Sequence, residues 1–463
     1  MKNKARLCLV IILLFSLLIT SGCSVPLFKS YETLMHPPKA TGDKGEIQNV
    51  IDRCAGTDYV LKYPLNGTNR SSITMYDLDN DETEEAVALL TLHPNTDEAE
   101  THIYVIDKVK GQWDIIGDFK KQNNDIDCIE FGDVNGDSLT DILVGWNTYS
   151  INQKELYCYI FGKDIKEINT KEHYTNMAVD NFTDDNKSTI ITVSLSSADN
   201  LAVGKLISIS DKNVVTSYET DMDSDITKFT AVKSGLVNAD RLGLFVDGLN
   251  SSNTYNTQVL YFNTEELCLV NPVYSNAYNG MLATERKTST VCQDIDNDGI
   301  PEIPVTKALP CPKGENTENY AYQTDWNTLD TESGTLKVTS SVIINDNYKY
   351  TIYIPDEWIG GYTAFYNGDS SVLTFCQATP LKNPAKCVKG GTIVTYIATL
   401  NKNWINIGLK QGYTKLLDSG IFSYGYNINK KTPYIFTKEQ AKEIFVPKEE
   451  EESVAIVPTE AGK

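Results

Sequence analysis

The chain has 463 residues, of which 41% are hydrophobic and 10% aromatic, the composition of a folded protein long enough for more than one cooperative unit. Its 62 acidic and 41 basic residues leave a formal charge of -21. A field of that sign repels phosphate backbones and anionic headgroups, which argues against nucleic acid as a partner.

The first residues form a targeting segment. Lys2, Lys4 and Arg6 precede an almost unbroken apolar run at 7–19, too short and wrongly flanked for a membrane span. The run ends in ITSGC at Cys23, which resembles the lipobox of bacterial lipoproteins. That resemblance implies lipidation of Cys23 and an extracytoplasmic chain anchored to the cell membrane; the alternative is an ordinary signal peptide cleaved nearby. Residues 1–23 are thus read as a lipoprotein signal peptide and 24–58 as a tether and short helix, with Ile47, Val50 and Ile51 on one helical face.

From 59 to 340 a unit of roughly fifty residues recurs. The clearest copies are DLDNDETEEAVALL from Asp77, DVNGDSLTDILVGW from Asp133 and DIDNDGIPEIPVTK from Asp294. Each has acids at positions 1, 5 and 9, Asp or Asn at position 3, and a strand-like run after 9. Two decayed copies lie between them: DNFTDDNKSTIITV from Asp180, with Phe182 at position 3 and Ser188 at 9, and LVNADRLGLFV from Leu236. Short alternating segments such as THIYVIDKV and ELYCYIFG separate the copies and read as about four strands each. Repeated short antiparallel strands with almost no helical periodicity predict a mainly β chain, a β-propeller of about five blades, with five to seven possible.

The loop spacing is chemical. Calcium prefers six to eight hard oxygens, and a tight loop can turn positions 1, 3, 5 and 9 toward one point. The candidate ligands are Asp77, Asp79, Asp81 and Glu85; Asp133, Asn135, Asp137 and Asp141; and Asp294, Asp296, Asp298 and Glu302. Position 4 is Asn80, Gly136 and Asn297, residue types that tolerate positive φ. An EF-hand would need its closing acid at position 12, where Ala88, Val144 and Val305 stand instead. DMDSD at 221–225 is a decoy, because its ninth position is Phe229.

These loops resemble FG-GAP/VCBS repeats, the calcium-binding blades of the integrin α N-terminal propeller and of many bacterial surface proteins. The resemblance covers about 60% of the chain and implies a propeller with structural Ca2+ in the three complete loops. It implies no particular ligand.

Beyond 340 the repeat stops. Residues 341–446 are expected to form a small α+β C-terminal domain, closed by a helix with a capping box at Thr437 and Gln440, and 447–463 an acidic disordered tail. The aromatics Tyr350, Tyr353, Trp358, Tyr362, Tyr366 and Trp404 read as sheet packing, with a stacking face for sugar or peptide as the alternative.

Other chemistry fits poorly. GDSL at 136–139 would make Ser138 an esterase nucleophile, but none of His36, His93, His102 and His173 has Asp three residues before it. Ten cysteines without a CxxC pair give no zinc site, and their pairing is open. The expectation is therefore a surface lipoprotein that binds an unidentified protein or glycan, with no catalytic residues assigned. A glycan-acting hydrolase and a membrane-surface assembly scaffold remain as alternatives.

Overall fold

The structure is a computed structural model that describes residues 42–148, 153–210, 214–275, 282–309, 321–367, 369–377, 388–397, 408–428 and 437–448. The leader with Cys23, Trp404 and the acidic tail lie outside the described residues.

Contacts divide the chain into two units, the first made of residues 42–62, 72–76 and 84–123. It opens with α1 (Asp43–Ala55), whose acids Asp43 and Glu46 lie in the first turn and Arg53 in the last, matching the helix dipole. Ile47, Val50 and Ile51, spaced i, i+3 and i+4, bury one face against Ala86, Ala88, Tyr104 and Trp113. The sheet beneath is antiparallel: β1 (Tyr59–Leu61) and β2 (Ile73–Tyr76) both pair with β3 (Glu85–Leu92), followed by β4 (Glu100–Val109) and β5 (Gln112–Gln122).

The second unit holds five sheets among its described residues. Three are meanders in chain order. The first is β6 (Ile126–Gly132), β7 (Asp141–Asn147), β8 (Lys154–Ile160) and β9 (Lys166–Tyr174). The next is β10 (Asn176–Asp180), β11 (Thr189–Ser194), β12 (Val203–Ile209) and β13 (Val214–Asp221). The third is β14 (Ile226–Asn238), β15 (Arg241–Asn250), β16 (Tyr255–Asn263) and β17 (Cys268–Val270), after which comes α2 (Pro272–Ser275). A fourth sheet begins with β18 (Ile303–Ala308), β19 (Tyr322–Asp330), β20 (Thr335–Asn345) and β21 (Tyr350–Tyr353). The last contains β22 (Tyr362–Tyr366), β23 (Val372–Gln377), β24 (Val388–Ile397), β25 (Thr414–Ser419) and β26 (Phe422–Ile428), with β26 between β24 and β25. Then α3 (Lys438–Ile444), with the expected Thr437–Gln440 capping box, leads into β27 (Phe445–Pro447), which pairs back onto β21.

The period of two explains how these sheets pack. Successive side chains of a strand face opposite ways, and here each way is a different apolar core. Ile190 and Ile207 join Leu143, Leu156 and Ile168 of the preceding sheet. Their neighbours Ile191 and Leu206 join Leu244, Val246 and Leu260 of the next. On β15 and β16, Phe245, Val259 and Tyr261 then face Ile303 and Leu329. Consecutive sheets in this unit are stacked face to face, so their middle strands read as continuous apolar runs.

The expected boundary at 340 falls inside β20, and β27 returns to the same sheet. Residues 341–446 therefore share a sheet with the residues before them. One core joins Ile343, Tyr350 and Ile352 to Tyr362, Phe375, Tyr424 and Phe445. Tyr350, Trp358 and Tyr362 are buried in it, with Tyr350 and Phe445 rings 5.2 Å apart and Trp358 and Phe375 rings 5.7 Å apart. Tyr366 packs half-buried against the same core, and Tyr353 is half-buried on β21.

Candidate metal centre

Each acidic loop leads into a strand of its sheet from the strand or bridge just before it. Residues 77–84 connect β2 to β3, and 133–140 connect β6 to β7. At 294–301 the strand before the loop is reduced to one bridge, Gln293 with Glu302, ahead of β18.

One backbone network builds all three. The position-1 carboxylate accepts from the N–H groups of positions 5 and 6: Asp77 from Asp81 and Glu82 at 3.2 and 3.1 Å, Asp133 from Asp137 and Ser138 at 3.2 and 2.8 Å, and Asp294 from Asp298 and Gly299 at 3.2 and 2.9 Å. The position-3 side chain also accepts from position 5, and the position-5 carboxylate from position 7. Folding the chain this tightly takes two left-handed residues. Position 4 has φ 62, 85 and 63 at Asn80, Gly136 and Asn297, and position 6 has φ 70, 70 and 87 at Glu82, Ser138 and Gly299. The second was not foreseen, because Glu and Ser carry no signal for positive φ.

The donor set of the last loop fits a calcium-sized cation. One carboxylate oxygen each from Asp294, Asp296 and Glu302 lies within 4.8 Å of the others. Oxygens about 2.4 Å from a common ion can be no further apart than about 4.8 Å. Asp298 is outside this group, and its Oδ1 accepts from Ile300 N–H at 2.8 Å. Glu302 is buried, accepts from Ile295 N–H at 2.9 Å, and has its carboxyl pushed up by burial, with Asp296 and Asp298 adding to the shift. A cation would relieve that penalty. In the first loop Asp77, Asp79 and Asp81 belong to the second unit, while Glu85 begins β3 in the first, where it is 1% exposed.

The middle loop carries Asn135 at position 3, so positions 1, 3 and 9 offer two carboxylates and an amide where the last loop offers three carboxylates. Asp141 is one methylene shorter than Glu302, and both its oxygens accept backbone N–H groups, from Val134 at 2.9 Å and Phe161 at 2.8 Å. It clamps the loop onto β7 and the end of β8. Burial pushes its carboxyl up to about 7 despite those bonds, with Asp137 and Asp133 adding to the rise.

The copy placed at Asp180 is corrected by one residue. Its left-handed residues are Asp184 and Asn186, which match positions 4 and 6 only if the loop begins at Asn181. Position 9 is then Thr189, fully buried at the start of β11, and its Oγ1 accepts from Phe182 N–H at 3.3 Å, where Asp141 accepts from Val134. A hydroxyl replaces the buried carboxylate. The copy at Leu236 has shrunk to a two-residue turn between β14 and β15, in which Asn238 still accepts from Asp240 N–H. Neighbouring loops are tied together at position 8: Thr140 N–H donates to Leu78 O at 2.8 Å and Ser188 N–H to Asp133 O at 2.6 Å.

No protein-family model and no curated protein matches this chain. Among solved structures it is similar to one described as the Dos1 propeller, at 11% identity and TM-score 0.26, over 78% of this chain and 67% of that one. It is similar also to a GH43 β-1,3-galactosidase, at 10% identity and TM-score 0.27, over 74% and 75%. At such scores neither likeness carries an argument.

Sequence reasoning also missed two buried ion pairs in the second unit. Arg286 and Asp247 meet at 2.7 Å with both side chains buried, and Asp247 also accepts from Cys292 N–H and Thr257 Oγ1. Lys154 lies 3.1 Å from Asp127 and donates to Thr175 O. Nothing in a single sequence joins partners 39 or 27 residues apart. Six cysteines are described as free, with Cys128, Cys158, Cys292 and Cys376 buried; burial raises the Cys128 thiol to about 12.

Proposed function

We propose that this chain is a lipid-anchored, extracytoplasmic β-propeller stabilised by structural calcium, acting as a binding module for another surface molecule. The face-to-face stacking of successive four-stranded sheets supports the propeller, and the leader ending at Cys23 supports the anchor. The observation that carries the calcium reading is the convergence of Asp294, Asp296 and Glu302 oxygens within 4.8 Å on a loop whose backbone network recurs at Asp77 and Asp133. Asp294, Asp296 and Glu302 would hold the ion, and Asp77, Asp79 and Glu85 are the equivalent set by position. When bound, calcium supplies positive charge that offsets repulsion among carboxylates and ties the loop ends together. These acids are committed to loop structure, so the reading assigns them no catalytic step.

Elemental analysis of chain dialysed against calcium tests the metal. Bound calcium should fall by about one ion per chain in Asp294→Ala, at affinities of about 10⁻⁴–10⁻³ M expected for extracellular modules. A chain that carries no calcium, or equal calcium with and without Asp294, contradicts the proposal.

A further inference from the structure

A groove of about 570 Å³ opens at the strand ends remote from the metal-type loops. β11 runs from Thr189, next to loop 181–188, to Ser194, where the groove begins. The charged residues on its wall are Glu172, Asp199, Glu219 and Asp221 against Lys171 and Lys205. One of these two cations is already paired. Lys205 Nζ lies 2.9 Å from Glu219 and 3.4 Å from Glu172, bridging β12 to β13 of its own sheet and to β9 of the preceding one. Burial alone would lower the Lys205 pKa, but the bond to Glu219 and the charge of Glu172 more than reverse this, so the ammonium stays charged.

Asp199 and Asp221 line the same groove and, among the described residues, form no ion pair with Lys205 or with Lys171, the groove's second cation. Beside them Leu201 is 73% exposed, an apolar surface suited to an aliphatic stem. The wall is preorganised. Met222 N–H donates to Ala202 O, Ala202 N–H to Ser224 Oγ, and Asn271 Nδ2 to Asp221 O, each at 3.1 Å. Asp221, the first residue of the acidic run that fails as a calcium loop, thus lines the groove.

We propose that this groove binds a primary amine or guanidinium carried on an apolar stem, as a lysine or arginine side chain of a cationic peptide segment. The ligand's charge would pair with Asp199 and Asp221 while its methylenes cover Leu201. Excess carboxylate, a resident ammonium and an exposed leucine favour this over a neutral glycan, and the chain's charge of -21 draws such a partner in. The inference rests on the binding-module reading but not on calcium.

Calorimetric titration of the full chain in detergent with hexalysine, and separately with cellohexaose, tests it at near-physiological salt. Hexalysine should bind, and Asp199→Asn with Asp221→Asn should weaken it about ten-fold or more. Asp199 is exposed on its loop, so Asp199→Asn alone provides a variant that keeps the fold. Removing two exposed acids elsewhere, Asp164→Asn with Glu265→Gln, should leave the affinity nearly unchanged. Binding of cellohexaose alone, no binding of hexalysine, or equal weakening by the two double variants overturns the proposal. Hexalysine binding that persists in chelator, in a chain that shows no calcium effect, upholds the groove and defeats only the metal reading.

Discussion

Ser138 sits at position 6 of its loop with φ 70, and its N–H donates to Asp133 Oδ2 at 2.8 Å. That contribution to the loop is made by the backbone, and Glu82 and Gly299 make the same one at this position. Asp141 and Asp294 show how one residue type does two jobs. Asp141 is fully buried and satisfies two buried N–H groups, whereas Asp294 is only partly buried and the exposed N–H groups it holds can turn to water. We therefore predict that Asp141→Ala lowers stability by about 2–5 kcal/mol even in chelator, since each orphaned buried donor costs about 1–3 kcal/mol. Asp294→Ala should cost much less in chelator and show its main effect only with calcium present. Denaturant unfolding with and without chelator checks both; equal costs for the two variants in chelator would refute the distinction. The acidic spacing that located these residues was legible in the sequence. That Asp141 satisfies two buried N–H groups while Asp294 holds loop N–H groups was not, because it depends on which N–H groups the strand ends bring near.

At the scale of elements, strands and turns followed from alternation and from Asp, Asn and Gly, and α1 and the closing capped helix were found by periodicity and capping. The third loop was misplaced by one residue because Asp180 and Asn181 are both plausible starts, and only the left-handed residues at Asp184 and Asn186 decide between them. Close approaches between strands were also invisible. Tyr174 crosses β7 at Gly145, so that a Cβ there would lie 1.8 Å from Tyr174 Oη. The phenol meets Asp127 at 3.3 Å and Cys128 Sγ at 3.4 Å, beside the Lys154 pair. Gly145→Ala must displace that ring and is predicted to cost about 1–3 kcal/mol or more, read as a lowered unfolding midpoint. An unchanged midpoint would mean that the ring is free to move.

For the whole molecule, composition indicated a folded, acidic, mainly β chain, and the repeat placed its loops at matching points of successive sheets. The end of the repeat at 340 was taken for a domain boundary, yet β20 runs through it and β27 pairs back across about a hundred residues. A change in sequence pattern marks where acidic loops stop, not where a sheet does. A charge of -21 makes the compact state repel itself, and calcium held as proposed would offset part of that repulsion by binding only the folded form. The measurement that bears most directly on this is thermal unfolding of the full chain in calcium and in a calcium chelator, with magnesium as control. At free calcium about 100 times the Kd, one site adds about 2.7 kcal/mol, so the midpoint should rise by several degrees in calcium, less in magnesium, and less again in Asp294→Ala. Identical midpoints in calcium and chelator would contradict the account.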